Sequence, residues 1–146
     1  MVVALLLACY VSQARLIRGG CTAGKREFDE FFMRVDLKNR QRGFLKDRLS
    51  FKARIYNGEP DIVGYRFLLY EPFDTSDCSN AASSTLTTEI MVFVGASDGN
   101  FAMTYHWYRW DTEFKLYGEN SRVGYVVVAA DIVDDEWTPL YCCAIE

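Results

Sequence analysis

Two adjacent cysteines, Cys142 and Cys143, constrain this chain more than any other feature. A disulfide between neighbours would strain the backbone, so each needs a distant partner. The chain has five cysteines, and Cys9 lies in the short apolar run VVALLLACYV (Val2–Val11). That run is too short to span a bilayer. Ser12 and Ala14 are the small residues of a cleavage site after Ala14, so residues 1–14 are expected to be a secretory signal peptide. Cleavage leaves Cys21, Cys78, Cys142 and Cys143. An even count in an exported chain implies two disulfides. Cys21 and Cys78 would each be tied to one member of the pair, with the choice between them open. Loops this long stabilise by about 3–5 kcal/mol each when closed, in the chain-entropy model. The expected location is secreted and extracellular. There is one histidine and no CxxC, so no metal is expected.

Charge is divided along the chain. Lys25 to Arg54 carries ten Lys/Arg against five Asp/Glu, whereas Ile55 to Glu146 carries four against fifteen. The acidic remainder speaks against a nucleic-acid partner, which needs clustered Lys/Arg. It suits a cationic ligand or a basic partner. No later segment is long and apolar enough for a membrane span.

The hydrophobic pattern divides residues 15–146 into one domain of one helix and about seven strands. Arg15 to Gly24 reads as irregular, broken by Gly19, Gly20 and Gly24. In KREFDEFFMRVDLKN, Phe28, Phe31, Phe32 and Val35 fall at helical spacing and predict an amphipathic helix packed on the core. From Leu49 the period changes to two: Leu49, Phe51, Ala53 and Ile55 alternate with polar residues up to the Asn57-Gly58 turn. Ile62–Glu71 is a second strand, followed by a polar loop carrying Cys78. Thr85–Ala96 and Phe101–Asp111 form a predicted hairpin about Ser97–Asn100. Glu113–Tyr117 is a short strand. The stretch Arg122–Cys143 ends the chain as two strands split at Asp134-Asp135. Such a series argues for a mainly β fold, an antiparallel meander closed as a barrel or wrapped on the helix.

No residues declare a catalytic centre. His106 sits mid-strand with no nucleophile-elbow glycines nearby, and reads as a sheet histidine. Asp134, Asp135 and Glu136 lie in a turn, a setting for solvated carboxylates rather than an acid–base pair. Nucleotide-binding glycine loops and EF-hand spacing are absent. The chain is therefore expected not to be an enzyme and to use no cofactor. Aromatic residues are the stronger signal. Met103, Tyr105 and Trp107 share a strand face, and with Phe51, Phe67 and Tyr125 they would line a small-ligand pocket. Asp131 shares a face with Tyr125 and is the candidate carboxylate for a protonated amine. Glu89 is the second.

YVVVAADIVDDEWTPLYCC (Tyr125–Cys143), together with EIMVFVGASDGNFAMTY and KLYGEN, resembles the closing strands of lipocalins, in particular the salivary lipocalins of ticks. The chain departs from that family in lacking Gly-x-Trp near the first strand and in its short length. The resemblance implies a closed lipocalin-like barrel with an N-terminal helix, which would sequester a small hydrophobic or amine ligand. Some salivary members inhibit host proteins instead. The second expectation is accordingly a secreted protein-binding inhibitor with a filled core, a helix packed across a sheet as in cystatins, although the cystatin QxVxG loop is absent.

Overall fold

The computed structural model describes residues 15–24, 32–42, 45–56, 61–94, 103–110 and 114–146. The expected signal peptide and the Asn57-Gly58 and Ser97–Asn100 turns lie outside them. Eight strands are formed: β1 (Arg15–Ala23), β2 (Phe32–Arg42), β3 (Leu45–Tyr56), β4 (Gly64–Tyr70), β5 (Leu86–Val94), β6 (Met103–Trp110), β7 (Val126–Asp131) and β8 (Pro139–Ala144). They make two antiparallel four-stranded sheets, ordered β1-β2-β3-β6 and β5-β4-β7-β8. These are called sheet A and sheet B below.

The expected N-terminal helix is not formed where its residues are described; its first half, with Phe28 and Phe31, lies outside the described residues. Its C-terminal half is β2, and the described residues contain no helix longer than the six-residue 3₁₀ turn Cys78–Ser83. The reason lies in MRVDLKNR. Helical spacing picks out Phe28, Phe31, Phe32 and Val35, but the same stretch alternates strictly. Met33, Val35, Leu37 and Asn39 are buried, while Arg34, Asp36, Lys38 and Arg40 point outward. A strand with a partner on each edge satisfies that alternation and its own backbone groups together. β1 and β3 supply those partners. The segment Arg15–Ala23, expected to be irregular, is therefore a strand too. Gly20 fits because it lacks a Cβ, which would stand 2.2 Å from the Val35 carbonyl oxygen.

The closed barrel is also overturned. The expected β5–β6 hairpin does not pair: β5 bonds to β4, and β6 bonds to β3 in the other sheet. The two strands stand at the free ends of their sheets, so the fold is a sandwich that is open on that side. On the other side the sheets are joined. Gly20 N–H donates to the Glu146 carbonyl (3.2 Å), and Glu146 N–H donates back to Gly20 (2.9 Å). Ile145 exchanges two further bonds of 2.8 Å with Tyr125 and Gly124 at the start of β7.

The main core lies between the sheets, and Leu49, Phe51, Ile55, Tyr65, Phe67, Leu69, Val127 and Ala129 are among its buried members. β7 is buried on both faces. Its Val126, Val128 and Ala130 belong to a second cluster with Leu68 and Cys142, covered by Phe73, Cys78 and Trp137. Neighbouring residues of a strand point to opposite faces. Cys143 therefore enters the inter-sheet core and bonds to Cys21 of β1, while Cys142 enters the outer cluster and bonds to Cys78. The polar loop is held down by that second bond and capped by Asp77, which accepts from Ser79 N–H (3.0 Å) and Ser79 Oγ (2.7 Å).

Two outcomes follow for stability. Partial reduction with peptide mapping should recover the pairs Cys21–Cys143 and Cys78–Cys142, and C78A/C142A should lower unfolding free energy by about 2–4 kcal/mol. Gly20→Ala should cost about 1–3 kcal/mol by overpacking against β2, read as a lower denaturant midpoint with an unchanged slope.

Candidate functional site

The outward side of sheet A is where the fold concentrates charge. Strand alternation sends Arg18 of β1, Arg34, Lys38 and Arg40 of β2, and Arg48, Lys52 and Arg54 of β3 to the face opposite the core. Asp36 is the acid among them. The antiparallel register sets like charges side by side: Arg34 is directly opposite Arg54, Arg18 opposite Lys38, and Arg40 opposite Arg48. Like charges directly across a ladder are destabilising, each pair by a few tenths to about 1 kcal/mol. Arg34 leans on Asp36 at 3.4 Å. Among the described residues Arg18, Lys38, Arg40, Lys52 and Arg54 form no ion pair.

The short Ser50 interrupts the long side chains of this face and leaves a shallow cleft of about 240 Å³, floored by the Gly19 backbone and walled by Arg18, Asp36, Lys38, Lys52 and Arg54. An adjoining cleft of about 460 Å³ runs past Thr22, Arg34 and Asp36 to Glu146. Chemically the face can do one thing well. It presents fixed donors and positive charge to an anion, over a surface of more than one small molecule's width.

Of the interior positions expected from sequence, those whose side chains are described are arranged differently from a pocket lining. Phe51 and Phe67 are buried and meet edge-to-face at 5.7 Å, so their rings are spent on each other. Met103, Tyr105 and Trp107 stand in register opposite Ile55, Ala53 and Phe51. Their side chains lie outside the described part of the structure. Tyr125 is half-buried beneath the Arg122 guanidinium, 4.7 Å from its ring centroid, and its hydroxyl accepts from Arg122 Nη1 at 3.0 Å. Asp131 ends β7 and turns into the loop, where its Oδ1 accepts from Val133 N–H at 3.1 Å. Glu89 is on the solvent side of sheet B in an ion pair with Arg66 (2.6 Å). Arg66 also stacks on Trp137, 4.8 Å from the ring centroid. Asp134 accepts from Glu136 and Thr138 backbone N–H groups (3.0 and 2.8 Å), which holds its carboxyl below the usual range. The structure thus gathers Phe51 and Phe67 into one packed core, puts Asp131 in register with the core residue Tyr65 at the end of β7, and leaves Glu89 on the solvent side. His106 takes a register position opposite Lys52.

Sequence reading missed the basic face. Its signal was present in the ten cations of Lys25–Arg54, but reading Met33–Asn39 as helix removed β2 from the face. Neither a scan of protein-family models nor a search of curated proteins finds a match to this chain.

One polar cluster fastens the rim of the face. Tyr117 donates its hydroxyl to Asp47 Oδ2, and Lys115 Nζ lies 4.0 Å from the same oxygen. Nearby, the buried Asn39 Oδ1 accepts from Leu116 N–H at 3.0 Å. Burial first, then the bond and charge of Asp47, push the Tyr117 hydroxyl up to about 12 from its ordinary 10.0. A raised folded-state value stabilises the fold below pH 10 and is lost as pH climbs from about 10 to about 12. An ultraviolet titration should show one tyrosine ionising last, near the alkaline unfolding limb, and Tyr117→Phe should remove that component.

Proposed function

We propose that the protein is a secreted, non-catalytic binding protein that works from its surface, holding an acidic macromolecule against the outer face of sheet A. The observation that carries this reading is the directly opposed cation pairs Arg34–Arg54 and Arg18–Lys38, with Arg40 and Lys52 beside them and Asp36 the acid among the described residues of the face. A sheet exterior that served only solubility gains nothing from like charges in register and loses stability to them. An anion laid across the pairs converts the repulsion into attraction. Export is supported by the two disulfides, which persist in oxidising compartments. The buried Phe51–Phe67 contact favours a filled core over ligand storage between the sheets.

The test separates stability from binding. Despite a formal net charge of −4, the intact chain should be retained on a carboxylate cation exchanger at pH 7 and low salt. Arg54→Glu creates an opposite-charge pair with Arg34, and should raise stability by about 0.2–1 kcal/mol while abolishing retention. Asp135→Asn, in the turn before β8, should leave both the midpoint and the retention time within error of the parent. Retention that survives Arg54→Glu combined with Lys38→Glu would refute a working role for this face.

A further inference from the structure

We infer that the macromolecule bound on sheet A is a sulfated polysaccharide, laid as a single extended chain along β2 and β3. This rests on the reading of that face as the working surface and goes on to name its ligand class. The geometry is that of a ladder. Successive outward residues of a strand are about 6.6–6.8 Å apart, and neighbouring strands are about 4.8 Å apart. Moving along β2 and β3, the outward rungs are Arg34 with Arg54, Asp36 with Lys52, Lys38 with Ser50, and Arg40 with Arg48; Arg18 of β1 flanks the third. Cations therefore recur on every rung over about 20 Å, in a band two to three strands wide. A chain with an anionic group on each successive unit meets them in turn. A single small anion would engage only one rung.

The exceptions in the ladder select among polyanions. Asp36 and Ser50 lie at its centre and both wall the cleft of about 240 Å³. A carboxylate in mid-path repels a phosphodiester backbone, which carries a charge at every step and no free hydroxyl in DNA. A sulfated sugar presents hydroxyls beside its sulfates, and Asp36 and Ser50 can accept from them while Arg and Lys take the sulfates. The depression at Ser50 opens between the flanking long side chains, where a sugar ring would lie. An acidic protein would bring bulk to both sides of a flat sheet, and neither cleft demands it. Oxidising surroundings agree, since that is where sulfated polysaccharides are displayed and where the two disulfides persist.

The experiment is a binding titration of the full, disulfide-intact chain at fixed ionic strength. The probes are heparin oligosaccharides of increasing length, the same oligosaccharides after chemical desulfation, single-stranded oligothymidylate, polyglutamate and inorganic sulfate. Affinity should rise with heparin length until the face is spanned, then level off. Desulfation should weaken it at least tenfold. Oligothymidylate and polyglutamate of equal charge should bind at least tenfold more weakly than heparin. Inorganic sulfate should compete only at far higher concentration. Lys38→Glu, Lys52→Glu and Arg54→Glu should each lower heparin affinity at least tenfold, with the denaturant midpoint unchanged or raised for Lys38→Glu and Arg54→Glu, which face Arg18 and Arg34, and lowered for Lys52→Glu, which faces Asp36. Asp36→Asn should narrow the gap between heparin and oligothymidylate, a change that loss of fold would not produce. Equal binding of all polymers, abolished by the three charge reversals, would overturn the polysaccharide inference and leave the basic-face reading standing. No binding to any polymer, or binding indifferent to the reversals, would overturn both.

Discussion

Everything in this molecule turns on two sulfur atoms that leave one strand in opposite directions. Cys142 and Cys143 are neighbours in β8, so the pleat sends one to each face of sheet B. Cys143 crosses the core to Cys21 and ties the sheets over a sequence separation of 122 residues; Cys142 pins the Cys78 loop over 64. Without the second bond, Val126, Val128 and Ala130 would depend for their cover on Tyr70, Phe73, Trp137 and Ala144. A central strand apolar on both faces needs a layer on each. The paired cysteines provide both layers from one point in the chain.

The strand content was legible in the sequence because alternation and turn residues spoke with one voice. β3 and β4 were readable from Leu49-Phe51-Ala53-Ile55 and from Val63-Tyr65-Phe67-Leu69, and β7 and β8 from the break at Asp134-Asp135. The requirement for two disulfides to the adjacent pair was readable as well. Two things were not. Helical spacing over Phe28–Val35 runs into strand alternation over Met33–Arg40, and only the edges offered by β1 and β3 decide for the strand. Pairing across the sandwich was hidden for a similar reason. A turn signal after β5 reports that the chain reverses, but not that it leaves one sheet for the other. The basic face inherits both blind spots, since it exists only when β2 is a strand lying beside β3.

That dependence gives the face a sharp structural condition. A slip of one residue in β2 would carry Arg34, Lys38 and Arg40 into the core and put Met33, Val35 and Leu37 in water. Burial of an unpaired guanidinium or ammonium costs several kcal/mol, so the register is protected by the same charges that repel one another across it. The core side contributes too. Asn39 is buried and receives the Leu116 N–H, which places the 114–117 segment over the end of β2 and brings Tyr117 to Asp47 on β3.

Net charge then acts at a second scale. The chain as a whole is at −4, and among the described residues acids cluster in turns such as Asp131–Glu136 and Asp74–Asp77, against Asp36 and Asp47 on sheet A. An approaching polyanion is repelled from those loops and attracted only along one face, so the field orients the encounter before any contact forms. Long-range steering of this kind is screened beyond about 8–10 Å in physiological salt, whereas the cations in contact across the ladder are closer than that. Salt should therefore slow association sooner than it loosens the bound complex. A uniformly basic protein with the same seven cations would hold a polyanion in many orientations. In the proposed complex the surrounding acid would favour the strand direction of β2 and β3, where the spacing of the rungs can discriminate one repeat from another.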